Sequence, residues 1–231
     1  MPPIYTASEA RSIQRMFAAV APAYDLANLV MSAGLDHLWR REVSRQVAKW
    51  NPRTLLDVAT GSGVLASEIQ RQNPTTRIIG ADFCAPMLTA AKRRGFKSLV
   101  VADALTLPFK TDSFDAVTVA FGLRNMASWK DALVEMGRVL RQGGNLLVLD
   151  FSQPSGLIAK PYRFYMHRLL PVIAGVITGE PAAYNYLANS VETFPSGEQM
   201  LQLFRSCGYV EVRQKRLASG IVTLYFGTKP S

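Results

Sequence analysis

The sequence is poor in cysteine, in histidine and in charge. Cys84 and Cys207 are its two cysteines, far apart and at no metal-ligand spacing. That count excludes a disulfide framework, and a reducing compartment is expected. His37 and His167 are too few for a His-rich metal site, and no metal is expected. Charged residues make up 19% and hydrophobic residues 48% of the chain. Whole-chain disorder needs the opposite balance and is excluded. No run reaches the ~18–20 apolar residues of a membrane span. The greasiest, Leu169 to Thr178, carries Pro171 and Gly175. The first ten residues show neither the basic nor the apolar region of a secretory signal. The expected location is therefore cytoplasmic. No internal repeat is present.

What is there is enough chain for one well-buried domain, 231 residues, with a net charge of +9. Such an excess suits nucleic acid, an anionic membrane surface or an anionic small molecule. The basic residues are dispersed, and the densest runs are only Lys92-Arg93-Arg94 and Arg213-Gln214-Lys215-Arg216. That dispersal argues against a nucleic-acid arm, and no nucleic-acid partner is expected.

Residues 8–20 and 36–50 read as helices, the second with an apolar stripe of Leu38, Val43 and Val47. The stretch between them, Val20 to Leu35, has mixed character. From residue 54 short apolar runs alternate with helical periods. Strands are expected at 54–59, 77–82, 98–102, 114–120 and 145–151, with helices at 64–71, 85–94 and 129–140. The last of these helices meets Arg141-Gln142-Gly143-Gly144, read as a glycine stop. The alternation predicts a parallel sheet covered on both faces. A helix at 196–207 and strands at 209–216 and 221–228 around Ala218-Ser219-Gly220 add an antiparallel hairpin. Residues 152–195, rich in aromatics and proline, break the pattern and read as a helical insertion over one face.

The first strand runs into Asp57-Val58-Ala59-Thr60-Gly61-Ser62-Gly63-Val64-Leu65-Ala66, a G-x-G-x-x-A loop before a helix. Gly61 and Gly63 allow a tight turn and close approach of a ligand, and the helix start offers free N–H groups. Asp82 closes the second strand, where a carboxylate can accept both hydroxyls of a ribose. Asp103-Ala104 closes the third, where an adenine edge can sit. Asp57 precedes the loop as an acid for a ligand's ammonium group. Ligands of open α/β sheets bind at the carboxyl ends of the strands, so the set points to an adenosine ligand. The residues leave two open, a nicotinamide dinucleotide and S-adenosylmethionine.

The terminal hairpin and Asp57 resemble the class I methyltransferases, which favours S-adenosylmethionine. A closer resemblance lies in Phe121-Gly122-Leu123-Arg124-Asn125, in Ala132 to Gly144 and in Tyr24-Asp25-Leu26-Ala27-Asn28 through Arg40. These strings are similar to the signatures of the ubiquinone/menaquinone biosynthesis C-methyltransferase family, and the likeness runs from Phe17 to Lys229. It implies a class I, Rossmann-like α/β fold with a seven-stranded sheet, an N-terminal helical lid and a helical insertion. The whole chain, 1–231, would be a single methyltransferase domain. Residues 1–50 would be the lid, 51–151 the cofactor core, 152–195 the insertion for substrate and membrane, and 196–231 the terminal helix and hairpin.

The implied reaction is methyl transfer from S-adenosylmethionine to a ring carbon of a prenylated quinol. Demethylmenaquinol is the first substrate and a prenylated benzoquinol, or another small molecule, the alternative. The family's cofactor contacts carry over to Ser62, Asp82, Asp103 and Ala104, with Gly61, Gly63 and Asp57 around them. Ser62 replaces the usual threonine and Ala120 a serine found in some members. A quinol carbon becomes nucleophilic by losing a phenolic proton of pKa ~10. Arg124 is the expected catalytic residue, stabilising the phenolate, or else simply tying its loop to a carboxylate. Tyr24, Asn28 and Asn125 are expected at the substrate. The aromatic, basic insertion suits a greasy channel and transient contact with the inner face of the membrane. Oligomeric state stays open, a homodimer included. A nucleic-acid methyltransferase is the rival enzyme, but no Asn-Pro-Pro-Tyr string follows the fourth strand. A module that merely senses S-adenosylmethionine is the non-enzyme rival.

Overall fold

The computed structural model describes residues 7–21, 23–154, 156–178 and 181–231. Residues 1–6 and 22 of the expected lid and residues 155, 179 and 180 of the expected insertion lie outside them.

Seven strands form one sheet in the order β3-β2-β1-β4-β5-β7-β6. They are β1 (Thr54–Val58), β2 (Arg77–Asp82), β3 (Leu99–Val101), β4 (Phe114–Ala120), β5 (Leu140–Phe151), β6 (Val210–Leu217) and β7 (Val222–Thr228). β1 to β5 pair in parallel, while β7 runs antiparallel to both β5 and β6. The expected parallel sheet with a terminal antiparallel hairpin is thus present. The strand order reverses between β1 and β4, the place where open α/β sheets bind ligands.

Successive strand residues face opposite layers. Leu146 and Val148 pack with α6 (Trp129–Val139) and α10 (Glu198–Ser206), whereas Leu147 and Leu149 pack with α3 (Leu35–Trp50) and α4 (Val64–Gln72). This two-residue alternation, buried on both sides, is why these strands read as continuous apolar runs. A third cluster joins α1 (Ala7–Val20) and α2 (Tyr24–Met31) to the insertion, through Val20, Ala27, Met166, Leu170, Ala188 and Val191. The insertion comprises α7 (Ala159–Phe164), a π-helical turn at Tyr165–Leu169, α8 (Leu170–Thr178) and α9 (Pro181–Thr193). The remaining helix, α5 (Ala85–Arg93), follows β2. Among the described residues no helix is long and apolar enough to cross a membrane.

One expectation is corrected. The helix at 129–140 does not end on the glycines. It stops at Val139, and Leu140 is already extended (φ −70°, ψ 141°) and paired with Phe114. Gly143 and Gly144 lie inside β5, where the register shifts. Gly143 takes φ 71°, and a Cβ on Gly144 would come within 2.8 Å of the Arg141 carbonyl oxygen. The mixed stretch between the first two helices contains α2, an eight-residue helix with no side-chain N-cap.

Candidate active site

Two cavities open at the carboxyl ends of the strands. The smaller, of about 100 Å³, includes Gly61, Asp82, Cys84, Met87, Asp103 and Ala104 in its wall. The larger, of about 500 Å³, lies between the N-terminal helices, the ends of β4 and β5, and the insertion. Phe17, Tyr24, Phe121 and Asn125 line both, so the two spaces adjoin across these side chains.

The smaller cavity is built on the glycine loop. Gly61 and Gly63 take φ 57° and 78°, and a Cβ on Gly63 would sit 3.1 Å from that of Ala91 in α5. Only glycine fits such a turn without strain. Asp82 holds the loop from the next strand. Its Oδ2 accepts the Gly61 N–H at 2.8 Å and its Oδ1 the Cys84 N–H at 2.8 Å. Burial raises its pKa although the backbone N–H bonds pull the other way. Asp103 is exposed at the rim and accepts the Leu105 N–H at 3.0 Å, and Ala104 beside it is buried.

Ser62, Gly63 and Asp57 do not reach the cavity wall. The Ser62 hydroxyl donates to Asp25 Oδ1 at 2.6 Å, and Asp25 also pairs with Arg94. These bonds fasten α2 to the glycine loop and to the end of α5.

Asp57 lies beneath the loop, wholly buried. Its two oxygens accept the hydroxyls of Thr60 and Thr118, each at 2.7 Å. Burial pushes its pKa from 3.8 to about 6, against those hydroxyls and the charge of Arg40. The folded chain therefore holds this proton more tightly than the unfolded chain. The stability gained is complete below pH 3.8 and is lost as pH rises through about 6. Between those limits the wild type should lose roughly 3 kcal/mol relative to Asp57→Asn, whose side chain cannot ionise. Urea unfolding of both proteins at pH 4 and pH 7 measures that difference. Parallel curves at the two pH values would show that Asp57 does not titrate there.

Arg124 stands on the 3₁₀ turn Leu123–Asn125 that follows β4. It is 5% exposed, and Asp150 at the end of β5 is fully buried. Arg124 Nη1 donates to Asp150 Oδ1 at 2.8 Å and to the Phe121 carbonyl, and its backbone N–H reaches Asp150 Oδ2 at 3.3 Å. The guanidinium also lies 5.3 Å from the centre of the Phe151 ring. The tie to a carboxylate is real, and the same side chain lines the larger cavity. Gly122 permits this turn, since a Cβ there would come within 2.5 Å of Ala59 Cβ. Asn125 accepts from the Tyr186 hydroxyl at 3.2 Å and donates to the Phe121 carbonyl at 3.3 Å. Tyr24 meets Phe17 edge to face at 6.2 Å, and Asn28 lines the larger cavity one turn further along α2.

The structure brings in residues that sequence reasoning did not place at the site. Arg40, buried on α3, lies 5.5 Å over the Phe121 ring and pairs with Asp36 at 3.5 Å. Tyr162 and Tyr165 reach the larger cavity from the insertion, and the Tyr165 hydroxyl donates to the Met31 carbonyl at 2.8 Å. Their only trace in the sequence is the aromatic density of the insertion.

Residues 5–229 match the family described as the ubiE/COQ5 methyltransferase family. The demethylmenaquinone methyltransferase of Deinococcus radiodurans is 42% identical over 95% of this chain and 93% of its own. That of Thermus thermophilus is 42% identical over 93% of this chain and all of its own. The ubiquinone/menaquinone biosynthesis C-methyltransferase UbiE of Syntrophotalea carbinolica is 40% identical over 93% and 92%. Among solved structures, a SAM-dependent methyltransferase of Thermotoga maritima superposes with TM-score 0.68 at 18% identity, covering 94% of this chain and 99% of that one. The CurJ carbon methyltransferase gives 0.68 at 18%, covering 92% and 60%. At such identity these two structures speak for the fold alone. A glycine loop and two adjoining cavities at the switch point of the sheet, together with this match over nearly the whole chain, place the protein in the ubiE/COQ5 methyltransferase family.

Proposed function

We propose that the protein transfers the methyl group of S-adenosylmethionine to a ring carbon of a prenylated quinol, converting demethylmenaquinol to menaquinol. The observation that carries this reading is the junction of the two cavities at Phe17, Tyr24, Phe121 and Asn125. One space suits an adenosine ligand, the other is large and aromatic-walled, and the two adjoin at these shared side chains. The names of the relatives support the same substrate.

The residues of the smaller cavity fit the cofactor. Asp82 and Asp103 offer carboxylate oxygens for hydroxyls, and glycine at 61 leaves room that a Cβ would fill, 3.3 Å from Met87 Cε. S-Adenosylmethionine, when bound, supplies a methyl carbon activated by a sulfonium. Gly61, Asp82, Asp103 and Ala104 would hold it, while Ser62, Gly63 and Asp57 shape the loop. Arg124 lowers the cost of the phenolate by placing a cation at the ring oxygen. Tyr24, Asn28 and Asn125 orient the ring, and α1 and α2 form the lid that keeps water out.

The prenyl tail leaves over exposed apolar residues on α2 and the insertion, among them Leu26, Val30, Phe164, Leu169 and Val172. Lys160, Arg163 and Arg168 stand on the same insertion. That combination supports transient docking of a cytoplasmic enzyme on the inner face of the membrane.

The test is methyl transfer from labelled S-adenosylmethionine to demethylmenaquinol, with reductant and detergent. Labelled menaquinol is the expected product, and a parallel demethylated prenyl benzoquinol should be the poorer acceptor. Cofactor binding without transfer to either quinol would overturn the substrate assignment.

A further inference from the structure

Among the described residues, three buried side-chain polar atoms have no hydrogen-bond partner: Arg40 Nε, Arg124 Nε and Tyr162 Oη. All three belong to residues that line the larger cavity. Buried polar groups in folded proteins are nearly always paired, so three such atoms around one space require an explanation. Each arginine is nonetheless held by a carboxylate. Arg124 uses Nη1 on Asp150, whereas on Arg40 the Nε itself lies 3.5 Å from Asp36 Oδ2, an ion pair without hydrogen-bond geometry. Tyr162 has no second polar group to spend.

Its neighbours show the contrast. Three tyrosines reach this cavity from the insertion. Tyr165 donates to the Met31 carbonyl and Tyr186 to Asn125, which leaves the Tyr162 hydroxyl uncommitted. Burial holds the Tyr162 phenol above its ordinary pKa, although the nearby charge of Arg124 pulls it down. The group is therefore a neutral donor across the working range, and Tyr162 and Arg124 stand in the wall of the same cavity.

We propose that Tyr162 is a substrate ligand, its O–H and the Nε–H of Arg124 converging on the ring oxygen whose proton passes to solvent water before methylation; the sulfonium would leave as S-adenosylhomocysteine, and the ring carbon's hydrogen would return to that oxygen to restore the quinol. The inference rests on the quinol reading above and adds to it the residue from the insertion that completes the oxygen site. Two donors on one developing oxyanion, in an apolar wall, stabilise the charge more than either does in water. The unpaired hydroxyl is a cost to the free enzyme that is removed fully only as the charge develops on the ring oxygen, so its effect falls on kcat. Among the described residues, the charged and titratable groups facing this site are Arg124 with Asp150 behind it, Tyr165 and Tyr186 from the insertion, Tyr24 from α2, and Arg40 with Asp36 from α3.

Tyr162→Phe tests this in the full chain, because phenylalanine keeps the ring and its packing. Turnover of demethylmenaquinol should fall about 100-fold in kcat. KM and the dissociation constant for S-adenosylmethionine should stay within about threefold of wild type. The rise of kcat with pH should move to higher pH, since the substrate phenol loses a donor that lowers its pKa. The thermal midpoint should hold or rise, because an unpaired buried hydroxyl is gone. A merely structural tyrosine would give the reverse, an unchanged kcat or a fall in kcat together with midpoint and cofactor affinity. Either result overturns the proposal while leaving the quinol reading intact. Failure of the wild type to methylate any quinol would overturn both.

Discussion

Arg124→Ala should lose about 10²–10³-fold in kcat and about 3–5 kcal/mol in stability, two effects with different causes. The stability loss comes from Asp150, which is fully buried and left without its partner when the guanidinium goes. An unpaired buried carboxylate is costly in a way that an exposed one is not. The loss of turnover comes from the face of Arg124 that lines the larger cavity. A double variant separates them. Arg124→Ala with Asp150→Ala removes both charges, and unfolding in urea should show most of the lost stability returned. Its kcat should stay as low as that of the single variant, because the cation at the ring oxygen is still missing. Arg124→Lys should recover only part of the rate, since an ammonium cannot serve Asp150 and the substrate from one planar fork. Affinity for S-adenosylmethionine should change little in all three, the residue being absent from the wall of the smaller cavity. A double variant that turns over at the wild-type rate would reduce Arg124 to a counter-ion for Asp150.

What could be read from the sequence follows from which interactions are local. The strands were legible because residues such as Leu146 to Leu149 are buried alternately in two layers, which makes a continuous apolar run. The start of β5 was not. A glycine pair after a helix looks the same whether it caps the helix or kinks a strand, and the pairing of Leu140 with Phe114 decides the matter from 26 positions away. Helix α2 was hidden because Leu26, Leu29 and Val30 face outward, so its apolar pattern points at solvent. Gly61, Asp82, Asp103 and Ala104 were legible as a site because each stands at a strand end, where topology brings them together. Asp57 stands equally close in sequence, but it shares a face of β1 with Leu55 and turns toward α3 and α4. Thr118, opposite it on β4, completes a buried cluster under the loop. The partners of Ser62 and Arg124, Asp25 and Asp150, come from other elements and have no local signature. Tyr162 belongs to an insertion whose aromatic content announced a greasy wall but not which hydroxyl would be left unpaired.

Asp82→Ala should raise the dissociation constant for S-adenosylmethionine by about 100-fold or more, the largest effect expected in the smaller cavity. The carboxylate does two things there. It fastens the glycine loop to the end of β2 through Gly61 and Cys84, one bond to each oxygen. Each carboxylate oxygen has a second lone pair, and Asp82 lines the cavity, so a pair of vicinal hydroxyls can be accepted beside those bonds. Hydrogen bonds to a charged acceptor are worth about 1.5–3 kcal/mol each, and two of them account for the predicted loss. Asp82→Asn distinguishes the roles. It keeps the shape and one acceptor oxygen, but the NH2 that replaces the other oxygen can accept neither its backbone N–H nor a hydroxyl, so its affinity should fall between those of alanine and wild type. Asp103→Ala is the comparison at the rim, where an exposed carboxylate bound to Leu105 should matter less because solvent competes for its partners. Titration calorimetry with S-adenosylmethionine on the three variants gives the order directly. If Asp82→Ala binds as tightly as wild type, the ribose is not held at the end of β2. The Asp82 carboxylate would then serve only to brace the loop, and the cofactor would have to be placed elsewhere along the carboxyl edge of the sheet.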